Sequence, residues 1–211
     1  DAQREIHDFF WNEYCDWYIE MCKARMNSSN NESPIPTLIS VLDQSLRLLH
    51  PFMPFITEEI WQLLHHSDSH EAPFKSIMIA PYPEEKDMID ESAENQIATI
   101  VDIVKAVRTL KAEFRIEPSR PIEAFVQSDD IETITSESKV IETLGRISTL
   151  HIEEASNPTR RDKTVTMVVG STSVSLLVGN LVDLTHEKKR LENDLAEGEK
   201  NLTGLNKRLN D

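Results

Sequence analysis

The chain has 211 residues, 39% of them apolar, which is enough to bury a core and excludes a disordered composition. Its formal charge is −15, so adhesion to nucleic acid through bulk charge is excluded. Two cysteines exclude a disulfide framework, and neither a membrane-length apolar run nor a signal sequence is legible.

From Ala2 to about Met26 there is neither Pro nor Gly, and Ile6, Phe9, Phe10, Tyr14, Trp17, Tyr18, Met21 and Cys22 recur at helical spacing. This predicts one long helix whose aromatic face packs in the core. Cys15 and Cys22, seven apart on it, read as buried thiols in a reducing compartment. Asp1 falls inside the helix, as in a piece of a longer protein. Lys23 and Arg25 near its end read equally as phosphate contacts and as charges that complement the negative helix terminus. Asn27 to Pro36 reads as a loop. Thr37 can cap a second helix carrying Leu38, Val41, Leu42, Ser45, Leu48 and Leu49, and Pro51 and Pro54 end it. A third helix is predicted from Pro54 to His65, with Thr57, Glu58 and Glu59 at its positive end. His65, His66 and His70 with Asp68 match no compact ligand spacing, so no metal site is expected. Residues 77–83, IMIAPYP, read as a short extended segment.

A fourth helix is predicted over 90–115 and organises the chain, joining an all-helical half to a mixed one. Ile103, Ala106, Val107, Leu110 and Phe114 share its buried face. Lys105, Arg108, Lys111 and Arg115, spaced three, three and four residues apart, form a neighbouring ridge expected to project into solvent. Arg120 extends the run past Pro118. Ile103 to Ile122 holds five cations against Glu113 and Glu117, a net of +3 in an acidic chain.

The second half changes period. Strands are predicted at 122–126 and 149–153, with a helix over 130–145 between them. Two more, at 164–169 and 172–178, meet at a Gly170-Ser171 hairpin. A β-α-β-β-β unit with one helix covering a small antiparallel sheet accommodates these. From 180 onward Leu184, Leu191, Leu195, Leu202, Leu205 and Leu209 keep heptad spacing if Lys188 and Gly198 fill the seam, predicting an antiparallel hairpin or a coiled coil that can self-associate through 181–211.

The strings HDFFWNEYCDWYIE at 7–20 and LLHPFMPFITEEIW at 48–61 resemble the anticodon-binding region of the valyl-tRNA synthetase family, class I aminoacyl-tRNA synthetases. The first string discriminates; the second is shared with synthetases for other aliphatic amino acids. IMIAPYP and KAVRTLKAEFRIEPSRPI at 105–122 are similar to the same family. The resemblance implies a mainly α chain: an antiparallel helical bundle of anticodon-binding type over 1–117, a small α+β domain over 118–180, and a coiled-coil arm over 181–211. It implies cytoplasmic tRNA binding, with valine tRNA as partner and the catalytic and editing domains elsewhere in the same polypeptide. ATP and Mg²⁺ are implied for that parent ligase and no cofactor for this stretch.

No Gly-rich phosphate loop, Ser/His/Asp or Cys/His set, paired carboxylates in an apolar frame, or HIGH- or KMSKS-type signature occurs, so no catalysis is expected from these residues alone. Recognition remains. Lys105, Arg108, Lys111, Arg115 and Arg120 are the first phosphate-contact candidates, and Lys188, Lys189, Arg190, Lys207 and Arg208 on the arm the second. Two alternatives stay open: a helical scaffold that binds protein through its coiled coil, and the equivalent domain of an isoleucyl- or leucyl-type synthetase.

Overall fold

The computed structural model describes residues 2–26, 33–65, 74–84, 89–155 and 161–179, together with Leu195, Glu199, Lys200 and Leu202. The chain divides into two compact units, one of residues 1–101 and 137–144, the other of 102–136 and 145–211.

In the first unit α1 (Ala2–Asp8) passes into a π-helical stretch, Phe9–Tyr18, and then α2 (Ile19–Met26). The expected continuous α-helix is therefore interrupted by ten residues whose hydrogen bonds reach one residue further, as Ile19 N to Tyr14 O does. That drift explains a mismatch in the predicted core. Tyr14, Met21 and Cys22 are buried, but Phe9 is 41% exposed, and Phe10, Trp17 and Tyr18 are half-buried. The Tyr14 hydroxyl donates to Leu38 O at 2.9 Å, and burial, reinforced by Cys15, Cys22 and Tyr18 nearby, pushes its pKa up to about 12.

Helix α3 (Ile35–Leu49) begins two residues before the expected cap, with Pro34 and Pro36 in a first turn that needs no amide donors there. Helix α4 spans Pro54–His65, the limits read from the sequence. Trp61 is buried between them. Its Nε1 donates to Asp43 Oδ1 at 2.8 Å, His65 Nε2 lies 3.1 Å from the same oxygen, and Arg47 donates to Asp43 Oδ2. Residues 77–79 form a 3₁₀ turn rather than an extended segment. Glu58 holds it, accepting from Ser76 Oγ at 2.8 Å and Ile77 N at 3.2 Å, which seats Ile77 in a core with Leu46 and Trp61. Arg25 pairs with Glu137 at 2.7 Å.

In the second unit the C-terminal part of α5 (Glu91–Glu113) contributes Ile103, Val104, Ala106, Val107 and Leu110 to the core. β1 (Ile122–Ser128) is followed by α6 (Ile131–Ser136); after α7 (Ser138–Gly145), which belongs to the first unit up to Leu144, come β2 (Ile147–Glu154), β3 (Thr164–Val169) and β4 (Thr172–Leu177). The sheet order is β2-β1-β4-β3. Ala124, Val126, Val174 and Leu176 bury one face. On the other, the Arg161 guanidinium lies 3.8 Å from the Phe125 ring centre and His151 stacks beside it.

This corrects the expected mainly α class: the second unit is a four-stranded sheet with helices, and an antiparallel bundle does not describe the chain. The sheet is also mixed rather than antiparallel, because β1 and β2 pair in parallel. A helical crossover of this length lets the second strand return to the starting end of the first and pair with it in parallel. Of the predicted coiled-coil arm, Leu195, Glu199, Lys200 and Leu202 are helical and exposed; the rest lies outside the described residues.

Candidate nucleic-acid interface

Helix α5 starts at an Asp90 cap, whose Oδ1 accepts from Ala93 N at 3.0 Å. It ends in a paired turn in which Ile116 N donates to Lys111 O at 2.8 Å and Arg115 N to Ala112 O at 3.1 Å. This is the Schellman arrangement, which asks for a left-handed residue after the last helical turn. Arg115 supplies it at φ 53°. Arg115 therefore lies beyond the helix, where the expectation had kept it on the helical face.

Lys105 and Arg108 are exposed on α5, with Lys105 Nζ 4.0 Å from Asp102 Oδ1. Arg115 and Arg120 are exposed after it. Lys111 does not join them. The expectation that it projects into solvent is overturned, since the residue is 2% exposed. Its ammonium donates to the carbonyl oxygens of Arg120, Arg146 and Gly145 at 2.8, 3.0 and 3.1 Å, with Pro118 O at 3.5 Å. Gly145 closes α7, so the charge satisfies carbonyls that a helix C-terminus leaves without partners. Burial, aided by the nearby Arg146 charge, lowers the lysine pKa from its ordinary value. The ridge of four cations thus becomes two residues on the helix, two beyond its end, and a buried lysine that fixes the turn between them.

Lys188, Lys189, Arg190, Lys207 and Arg208 lie outside the described residues, as do His66, Asp68 and His70. Lys23 pairs with Glu20 at 2.5 Å. The sequence reading did not single out two exposed cations with left-handed backbone, Arg146 at φ 50° and Lys163 at φ 62°. Each sits just before a strand, where no periodic pattern marks a face. Charge alone could have found them only after the strand starts were known. The 48–61 string also divides: Trp61 and Thr57 are buried, whereas Phe55 is 91% and Ile56 57% exposed. Among the described residues no helix is long and apolar enough to cross a membrane.

Residues 1–126 match the family described as the anticodon-binding domain of tRNA ligase. Along the whole chain, a valine–tRNA ligase of Dehalococcoides mccartyi is 38% identical, and one of Thermotoga maritima is 36% identical over 99% of it. A valine–tRNA ligase of Lactobacillus johnsonii is 42% identical over 62% of the chain and covers 15% of that protein. The chain spans about a quarter of the curated relatives it matches throughout, 24% of the first and 23% of the second. With more than half of its length matched, the chain belongs to the family of anticodon-binding domains of tRNA ligases.

Proposed function

We propose that these residues are the tRNA-recognition part of a cytoplasmic valine–tRNA ligase. They bind the anticodon arm of valine tRNA, so that catalytic and editing domains elsewhere in the polypeptide attach valine. ATP and Mg²⁺ serve those domains. The observation that carries this reading is the 38% identity to a valine–tRNA ligase sustained over the full chain. The chemistry is compatible. Anticodon bases are unpaired, and a protein holds such a loop by neutralising its phosphates with Lys and Arg while bases lie against apolar or aromatic side chains. Lys105, Arg108, Arg115 and Arg120 are the phosphate contacts, all exposed and following one another along the end of α5 and the turn beyond. The arm cations at 188–190 and 207–208 are a second set.

The test is binding of the 211-residue chain to valine tRNA and to a noncognate tRNA across a salt series. The expected result is cognate preference and an affinity that falls steeply with salt. The double substitution Arg108→Glu/Arg115→Glu should weaken binding while circular dichroism stays unchanged. Equal, salt-independent binding to both RNAs would sink the reading.

A further inference from the structure

Three residues other than glycine adopt left-handed backbone among the described residues, and all three are cations: Arg115, Arg146 and Lys163. Left-handed geometry is strained for every side chain with a Cβ and is tolerated best by glycine, then by Asn and Asp. A cation offers no local compensation there, which directs attention to what its charge does.

The fold brings Arg146 and Lys163 to one end of the sheet. Ile122 opens β1 beside Ile147 of β2, and Ile122 N donates to Arg146 O at 3.3 Å. Ala124 stands opposite Leu176 in antiparallel register, so the end of β4 reaches the same edge. There Val178 N and Gly179 N donate to Lys163 O at 3.0 and 3.2 Å. Arg120 is drawn in by Lys111, whose ammonium holds the carbonyls of both Arg120 and Arg146. With strands about 4.8 Å apart, Arg146 and Lys163 are separated by roughly 14 Å of backbone, with Arg120 between them.

All three side chains are exposed. The apolar residues at this edge, Ile122, Ile147 and Val178, are buried, so it presents charge without an apolar groove. The neighbouring acids are Glu117, which accepts from Ser119, Glu123, which pairs with His151, and the exposed Asp162.

We propose that this sheet edge is a second phosphate-binding face of the chain, on which Arg120, Arg146 and Lys163 contact consecutive backbone phosphates of the bound tRNA. The proposal rests on the tRNA reading above and extends it to a surface formed by the starts of three strands. Buried Lys111 is a positioning residue, holding Arg120 and Arg146 without touching RNA.

Glycine supplies the test, because it removes the charge while fitting the left-handed backbone. The full chain and its Arg146→Gly/Lys163→Gly variant are titrated with valine tRNA across a salt series, and with poly-glutamate as a second polyanion. The melting temperature should hold or rise. Affinity for tRNA should fall roughly 30-fold at 0.1 M salt, with a salt slope shallower by about 1.5, as two lost phosphate contacts require. Unchanged tRNA affinity and slope in the variant, beside salt-dependent binding by the wild type, would overturn this proposal and leave the first reading standing. Loss of poly-glutamate binding with tRNA binding intact would overturn it in favour of an acidic protein partner. If the wild-type chain shows no salt-dependent tRNA binding, the tRNA reading falls and this proposal with it.

Discussion

Lys111 and Asp43 are charged residues buried on the inward faces of their helices. Asp43 lies on the inner side of α3, where its carboxylate meets Trp61, His65 and Arg47. Lys111 follows Ile100, Val104 and Val107 at spacings of four, three and four, the buried stripe of α5. That register was legible. What misled was the residue type, since a lysine on a helix is usually solvated, and the four carbonyls that accept its charge come from turns with no periodic signature. Asp43 gives a pH prediction. Burial raises its pKa, but the hydrogen bonds from Arg47, His65 and Trp61 outweigh burial, and the folded value lies below the ordinary one. The unfolded chain then binds the proton more readily. The stabilisation is therefore present in full above about pH 4, the ordinary aspartate range, and is lost as pH falls through the folded value. Glu58, lowered chiefly by its hydrogen bond from Gln62, acts with the same sign. Asp43→Asn should cost about 2 kcal/mol near neutral pH. It should also flatten, without abolishing, the fall in urea stability between pH 5 and 2. An acid limb as steep as that of the wild type would show that Asp43 does not carry it.

At the level of elements, long periodic segments were readable and departures from periodicity were not. Helix α4 and strand β3 have the limits their patterns gave, and Gly170 at φ 58° opens the hairpin where the glycine stood. The π-helical stretch escaped because the same apolar residues fit a 100° wheel until one hydrogen bond slips by a residue. The parallel pairing of β1 with β2 was compatible with the sequence, since a helical connection is the usual link between neighbouring parallel strands. The end of α5 was not, because Arg115 in the left-handed position gives none of the signal a glycine would. That site makes a prediction with two readouts. Arg115→Gly relieves the left-handed strain within an otherwise intact Schellman turn, and should stabilise the chain by about 1 kcal/mol in denaturant unfolding. If the guanidinium contacts phosphate, the same substitution should weaken tRNA binding severalfold. A gain in stability with unchanged binding would remove Arg115 from the interface.

On the scale of the whole molecule, charge is segregated along the chain. Glu84 to Asp102 carries a net of −6, and Ile103 to Ile122 a net of +3. A polyanion approaching a chain of charge −15 is repelled by most of it and attracted where cations reach solvent, so burial decides which of them count. This separates two residues three apart on one helix, Arg108 exposed and Lys111 buried. Arg108→Ala should leave stability within about 0.5 kcal/mol of the wild type. It should make the slope of log K against log salt for valine tRNA shallower by about 0.7–0.9, one phosphate contact. Lys111→Met should do the opposite. It leaves carbonyls at the α7–β2 turn without their donor, costing about 3 kcal/mol, yet the salt slope of the folded fraction should stay at the wild-type value. A shallower slope in folded Lys111→Met would mean that its ammonium reaches the RNA after all, through an opening of the turn that now closes over it.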